Sequence, residues 1–503
     1  MKIDMPRLIA ALLCLLMFLP LIVSCGGSDP DKGKQQTVTT AAAEEEAGEE
    51  KDTRFVGVNF DGKKFRIFSS SDKSDSTSAN EMIAGSGEEN GEVVNDAVYK
   101  RNLTVEEMPN IELAITEADY TYSNAQTNLR TLVMSGDDLY DCIINDVFAL
   151  IPLQDENILW NIANAPNFDF SKSYWYSSTL DDLSIIDGHT YVMAGDFFMD
   201  CLMASHTMFY NKNMCESYFK DGNYINNLVL DGEWNYDNAG KVTTACYADL
   251  DGNGQSNEGD QFGFMAHGTW GSIMPFIVAS GIDYIDKSQD PPVLDFGSET
   301  SVKLVESINK FYHNEAVLTA VTNNSDPSTG LRMHFGAGLA LIVGYNRLDD
   351  LSRMRDFEFD VAIIPYPKLL DSNPYYTSIH DTTEMGAIPI TCPDLDFATT
   401  CIEVLNRETS TILMPQYYEV ALKIKYTHDE VAAQMIDLVH DSIGSCFPVA
   451  YNSSIGSLLN CFTDCVGAKS NDFMSKYNSN IAASQAKLEE MIEGILANSV
   501  PVF

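Results

Sequence analysis

Between residues 63 and 146 the sequence alternates β-rich and helix-patterned segments, and this order constrains the fold more than any other feature. "KKFRIFSS" (63–70), "NIELAIT" (110–116) and "LYDCIIND" (139–146) read as strands. "DAVYKRNLTVEEM" (96–108), opened by Asn95 or Asp96, and "NAQTNLRTLVMSG" (124–136), ended at Gly136, read as helices. A βαβαβ order predicts an α/β fold with a parallel, doubly wound sheet. Such sheets bind ligands beyond the carboxyl ends of their strands. That rule brings Ser69, Ser70, Asn145 and Asp146 to a candidate site, although each also suits a loop or helix cap.

The chain opens with Lys2, Arg7 and the apolar run "LIAALLCLLMFLPLIV" (8–23), which is short for a membrane span. It ends in "IVSCGG", which resembles the lipobox of bacterial lipoproteins, with cleavage before Cys25 and a diacylglycerol on its thiol. The alternative is an ordinary secretory signal in which Cys25 is incidental. Residues 26–52 hold almost no large apolar side chains and close on an acidic block, so they form a solvated tether. A second polar run at 69–92 reads as a long surface loop.

About 450 residues remain, enough for two lobes. With 73 acidic against 31 basic residues and a net charge of −42, nucleic acid and anionic lipid surfaces are unsuitable partners. Nine of the eleven cysteines follow Cys25, scattered singly except in "CFTDC" (461–465), and are expected to be mostly free, buried thiols. Toward the C-terminus, Thr427 and Glu430 have capping-box spacing. Val431, Met435 and Val439 form a core stripe, and Leu488, Met491, Ile492, Ile495 and Leu496 repeat the pattern.

"DLDGNGQSNEGD" (249–260) carries the spacing of a calcium loop. Asp249, Asp251, Asn253 and Asp260 fill the ligand places, Gly254 permits the turn, Asn257 holds the ninth place, and Gln255 offers its carbonyl. Asp260 is shorter than the usual closing glutamate. A metal-free turn rich in Asx and glycine is the competing reading.

From about residue 61 to the end, the chain resembles the extracellular solute-binding proteins of ABC importers, in their carbohydrate-associated family 1. The segments that carry the resemblance are "SGDDLYDCIINDV", "IIDGHTYVMAGDF", "MFYNKNM", "GEWNYD", "DQFGF", "FGAGLALIVG", "FDVAIIPYPK" and "MPQYYEVALKIKYTHDE". It implies a two-lobed, periplasmic-binding-protein-like fold of type II, each lobe a mostly parallel sheet flanked by helices. Lobe one would comprise 61–205 and 362–405, and lobe two 206–361 and 406–503, after a signal peptide at 1–24 and an anchored linker at 25–60. "FDVAIIPYPK" would be the return crossing, and the third crossing would lie near 391–410. The resemblance implies a sugar or oligosaccharide held in the interlobe cleft, with Trp175, Trp270 and Tyr345 as stacking aromatics. Asn145, Asp146, Tyr176, Asp196 and Asn346 would be polar partners, while Trp160 and Trp234 are left to packing. It also implies ABC permease subunits as partners and a monomer anchored on the outer face of the bacterial membrane. The calcium loop then lies in lobe two as a structural fastening.

Enzymatic readings find little support. "SSDK" (70–73) matches Ser-x-x-Lys without its partner motifs, and no zinc-protease helix, nucleophile elbow or phosphate loop occurs. The eight histidines are isolated in sequence. A calcium-dependent carbohydrate-active enzyme or lectin is the rival, because a pair of catalytic carboxylates is identified only by geometry.

Overall fold

A computed structural model of the chain describes residues 53–71, 80–121, 123–267, 270–319, 327–418, 430–444 and 446–498. The leader, Cys25, the tether and Thr427 lie outside these. Residues Phe55–Phe503 form one compact unit.

The expected βαβαβ segment is present. Its strands are β1 (Lys63–Ser71), β2 (Ile111–Asp119) and β3 (Cys142–Asp146), joined by helices Val93–Glu107 and Ala125–Met134. The first helix is capped by Glu92 rather than by Asn95 or Asp96: its Oε2 accepts from the N–H groups of Val94 and Asn95 at 3.0 and 3.1 Å. Gly136 follows the second helix at φ +76, a left-handed conformation that glycine adopts without steric cost. β1 extends over Ser69–Ser71, and Ser69 and Ser70 are fully buried, so these residues belong to the sheet and not to the surface loop expected from 69. With β4 (Val192–Met193) and β12 (Glu384–Ala387), the sheet runs β2-β1-β3-β12-β4. β1 pairs in parallel with β2 and β3, and β12 pairs antiparallel with β3 and β4. Every residue of β3 is buried, as a strand covered on both faces requires.

The second sheet runs β11-β5-β10-β6-β9. Its strands are β5 (His206–Asn211), β6 (Phe262–Met265), β9 (Val317–Leu318), β10 (Ala340–Arg347) and β11 (Val361–Ile364). β5 alone runs against the other four. Beyond it lies a hairpin of β7 (Ile285–Asp286) and β8 (Val293–Leu294). Each lobe thus has a mostly parallel sheet with one reversed strand.

The crossings depart from expectation in two places. β11, in "FDVAIIPYPK", pairs with β5 and so belongs to the second sheet; the chain returns to the first sheet only at β12. Helix Leu395–Glu408, where the third crossing was expected, packs against Val93–Glu107 in the first lobe. Two crossing segments are bonded together: the N–H of His206 donates to Ser378 O at 2.7 Å, and that of His380 to Ala204 O at 3.1 Å. Residues 378–384 then reach the first sheet, where Val147 N–H donates to Thr383 O at 2.8 Å.

Helix Glu430–Asp441 buries Ala432, Met435, Ile436 and Val439, so its core face is rotated away from Val431. The long helix Phe473–Ala497 buries Leu488, Met491, Ile492 and Ile495 but leaves Leu496 exposed. All nine cysteines of the folded region are free and buried. Burial pushes the Cys215 thiol up to about 11 and Cys246 to about 12, which suppresses the reactive thiolate. Among the described residues no helix is long and apolar enough to cross a membrane.

Candidate functional site

The carboxyl edge of the second sheet is shaped by an irregularity in β10. Its register against β5 shifts between Val343 and Asn346, and Tyr345 sits in the shift at φ +60. A bulky residue in the left-handed region is strained, and bulges of this kind re-aim side chains beside functional sites. The backbone N–H of Tyr345 is fixed by Tyr366 Oη at 3.0 Å. Gly271 leaves room for its ring, since a Cβ there would lie 2.7 Å from Tyr345 Cε2.

The Tyr345 ring stacks on His206 at 5.7 Å and 27° and on His267 at 5.9 Å and 29°. Its hydroxyl lies 3.5 Å from His380 Nε2, and the His206 and His380 rings are 5.1 Å apart. Beside Tyr345 is a half-open cavity of about 90 Å³, lined by the polar His206, His380 and Asp381 and by the apolar Met274, Ile379 and Val449. Burial holds the His206 imidazole well below its ordinary pKa, and His380 and Arg347 push the same way. The three histidines come from the start of β5, the end of β6 and a crossing segment. Nothing in their spacing could have signalled that they meet.

At the carboxyl edge of the first sheet, Asn145 Nδ2 donates to Ser70 O at 2.6 Å and Ser70 Oγ at 2.9 Å. Because a carbonyl can only accept, this fixes the amide orientation. Asn145 Oδ1 is then buried with no hydrogen-bond partner among the described residues. Asp146 lies opposite Glu384 in the β3–β12 pairing. Asp196 and Tyr176 are brought together: burial pushes the Asp196 carboxyl up to about 6, against the Ser410 and Tyr176 hydroxyls and the charge of His440.

Other candidates lie elsewhere. Trp175 is 2% exposed, packs edge-on against Phe168 and Phe170, and donates to Glu403 Oε2 at 2.9 Å; the structure makes it an interior residue. Asn346 Nδ2 closes the β10 bulge onto Val343 O and Gly344 O at 3.1 and 3.2 Å. Trp270 opens helix Trp270–Ala279, and its side chain lies outside the described residues. Trp160 and Trp234 donate to the backbone carbonyls of Cys392 and Pro365.

The acidic loop is closed by an antiparallel bridge between Ala248 and Gln261 and leads directly into β6. Asp249 accepts from the N–H groups of Gly252 and Gly254, and Asp260 from those of Leu250 and Asn257. Asp251 Oδ2 receives the amides of Asn253 and Asn257. One carboxylate oxygen from each of Asp249, Asp251 and Asp260 lies within 4.8 Å of the others. Three hard anionic ligands on one tight loop fit a calcium ion, which prefers oxygen.

No protein-family model matches the sequence, and no curated protein matches it either. Solved structures do match. A cyclic α-maltosyl-1,6-maltose binding protein from Arthrobacter globiformis aligns at TM-score 0.56 and 13% identity, over 85% of this chain and 100% of its own. An ABC transporter solute-binding protein from Thermotoga lettingae, bound with α-D-tagatose, aligns at 0.54 and 13%, covering 85% and 100%. The maltose/maltodextrin-binding domain of Bdellovibrio bacteriovorus, bound to maltotriose, aligns at 0.52 and 12%, covering 86% and 100%. The chain has the two-lobed α/β fold of these sugar-binding proteins.

Proposed function

We propose that the protein is the extracytoplasmic solute-binding component of an ABC importer, capturing a sugar or oligosaccharide between its lobes and delivering it to permease subunits. The observation that carries this reading is the strained Tyr345, set beside a half-open cavity where the crossing segments bond the two sheets together. An aromatic face beside buried hydrogen-bonding groups suits a ligand with apolar faces and a hydroxyl rim. The likeness in fold to sugar-binding proteins supports the same reading. The lobes would close over the ligand by a hinge motion at residues 204–206 and 378–380.

In this reading the protein is a binder, not an enzyme. It acts as a monomer held at the outer face of the membrane by lipid on Cys25. Calcium, held by Asp249, Asp251, Asn253, Gln255, Asn257 and Asp260, would neutralise the clustered carboxylates and pin the segment that feeds β6. A thermal-shift screen against mono- and oligosaccharides tests the central claim. Ligand at a hundredfold excess over Kd stabilises the folded state by about 2.7 kcal/mol. A protein that melts unchanged in every sugar is not a sugar carrier, and one that cleaves its sugar is an enzyme. For the anchor, Cys25→Ser should abolish palmitate labelling and membrane partitioning; identical behaviour of the two proteins rules the anchor out.

A further inference from the structure

We propose that His206 and His380, one on each crossing segment, form a proton sensor in the hinge: acid charges the pair, and the sugar is released. This rests on the sugar-binding reading and adds a regulation to it. The crossing segments form a short antiparallel ribbon, bridged at Ser205 and Ile379. The N–H of His206 donates to Ser378 O and that of His380 to Ala204 O, so 206 lies opposite 378 and 204 opposite 380. Opposite residues of an antiparallel pair project to one face, and diagonal neighbours there are within reach of aromatic rings. His206 and His380 are such a diagonal pair, with ring centroids 5.1 Å apart. They sit on the joint between the lobes, one from each strand.

The charged and titratable groups around the pair come from four directions. β10 brings Tyr345, whose ring stacks on His206 and whose hydroxyl lies 3.5 Å from His380 Nε2, and Arg347, whose Nη2 donates to Thr382 Oγ1 at 2.9 Å. The end of β6 brings His267, stacked on the same tyrosine. The turn after β10 brings Asp350, which accepts from the Arg347 N–H, and Asp349, which feels Arg347, Arg353 and Asp200. The crossing segment itself brings Asp381, with Oδ1 2.9 Å from His380 Nδ1. The helices at 270–279 and 447–450 add only the uncharged Gly271, Met274 and Val449 to the cavity lining. A proton on His380 can be matched by Asp381. One on His206 is opposed by both His380 and Arg347, and two charges at the spacing of these rings repel strongly in a buried setting. His206 is 3% exposed, and burial itself disfavours its charged form. Both histidines line the half-open cavity beside Tyr345, so a ligand seated there cuts the pair off from water. The sugar-bound state then holds fewer protons, and acid favours the sugar-free state in which the rings are hydrated.

The test is calorimetric titration of the full-length protein at pH 7.5, 6.5 and 5.5 with maltotriose, cellotriose, mannotriose and xylotriose, repeated at pH 6.5 in two buffers of different ionisation enthalpy. Whichever trimer binds is expected to lose affinity about three- to ten-fold between pH 6.5 and 5.5, ten-fold per unit being the limit for one proton released. The heats in the two buffers should differ, because protons leave as the sugar binds. In His206→Gln and His380→Gln the slope should flatten, whatever each does to affinity at pH 7.5. Where a variant folds poorly, the wild-type slope and the buffer difference carry the test. A trimer that binds equally well at all three pH values, with equal heats in both buffers, overturns the sensor and leaves the sugar carrier standing. So does a slope that survives both substitutions, which would place the protons elsewhere, as at His267 or Asp196. A protein that binds none of the four trimers at pH 7.5 overturns the sugar reading as well.

Discussion

The acidic loop at 249–260 and the cavity beside Tyr345 are opposite ways of building a site. The loop gathers its ligands from twelve consecutive residues, so its geometry follows from spacing and two positive-φ glycines, Gly252 and Gly254. The cavity draws on β5, β10, two helices (Trp270–Ala279 and Phe447–Ala450) and a crossing segment, with His206 and Val449 far apart in sequence. The same residue type behaves differently in the two settings. Backbone donors, first that of Gly254, hold the exposed Asp249 carboxyl below its usual range, whereas burial pushes the interior Asp196 up to about 6. A local site should therefore fail alone. A site assembled across the fold should couple to ligand, pH and lobe motion.

The sharpest contrast is Tyr345→Ala against Asp249→Ala. Removing the Tyr345 ring should weaken sugar binding by about 1–3 kcal/mol, by analogy with other aromatic stacking platforms, while the melt stays cooperative. Asp249→Ala should leave affinity unchanged below the melting temperature. Titration of both variants checks this. Equal affinity loss in the two would mean that the loop belongs to the ligand site, as a calcium-dependent lectin would require.

What could be read in sequence follows the same division. The alternation at 63–146, the helix ended at Gly136 and the tight turn that gathers Asp249, Asp251 and Asp260 depend on neighbours along the chain, and the structure has all three. Misplaced were β11 and the crossing expected near 391–410, because which sheet an apolar strand joins is settled by pairing partners hundreds of residues away. Trp175 and Tyr345 looked alike as aromatics in rim segments. Only the fold separates them, sending one to Glu403 in the interior and the other to the hinge. The histidines are isolated in sequence, and it is the fold around the β10 bulge that brings three of them to Tyr345.

Next in size is a pH effect. Asp196 rises from 3.8 to about 6 on folding, so between those values the native state keeps a proton that the unfolded chain has released. Unfolding free energy then falls as pH rises through that window and is flat above it, with a change of about 3 kcal/mol. Asp182, also raised to about 6 by burial, acts in the same direction. His206, held neutral, acts in the opposite direction, losing stability as pH falls below 6.5. The difference between wild type and Asp196→Asn isolates the first contribution: the gap in denaturant midpoint should close from pH 7 toward pH 4. A constant gap would show that Asp196 is not held in a dry setting.

Calcium should act more weakly. At 1 mM ion and a Kd on the order of 10⁻⁴ M, binding stabilises the folded state by about 1.4 kcal/mol. Chelator should lower the melting temperature by a few degrees, and Asp249→Ala should abolish the response. A wild type indifferent to calcium has a metal-free turn.

The smallest effect is expected where the lobes touch. Lys287, in the turn of the β7–β8 hairpin, donates to the backbone carbonyl of Asp181 and lies 3.7 Å from its carboxylate. Asp181 belongs to helix Ser177–Leu183, beside the first sheet, so the contact joins the lobes. Its carboxylate is largely exposed, at 82%, and such pairs contribute about 0–1 kcal/mol. A contact made in only one lobe arrangement shifts the population by no more than its own free energy. Lys287→Ala should therefore weaken sugar binding by at most about five-fold, mostly through faster release, and the deficit should shrink at high salt. An affinity loss beyond ten-fold that persists in 1 M salt would mean that Lys287 touches the ligand itself, and the cleft would then extend well past the cavity beside Tyr345.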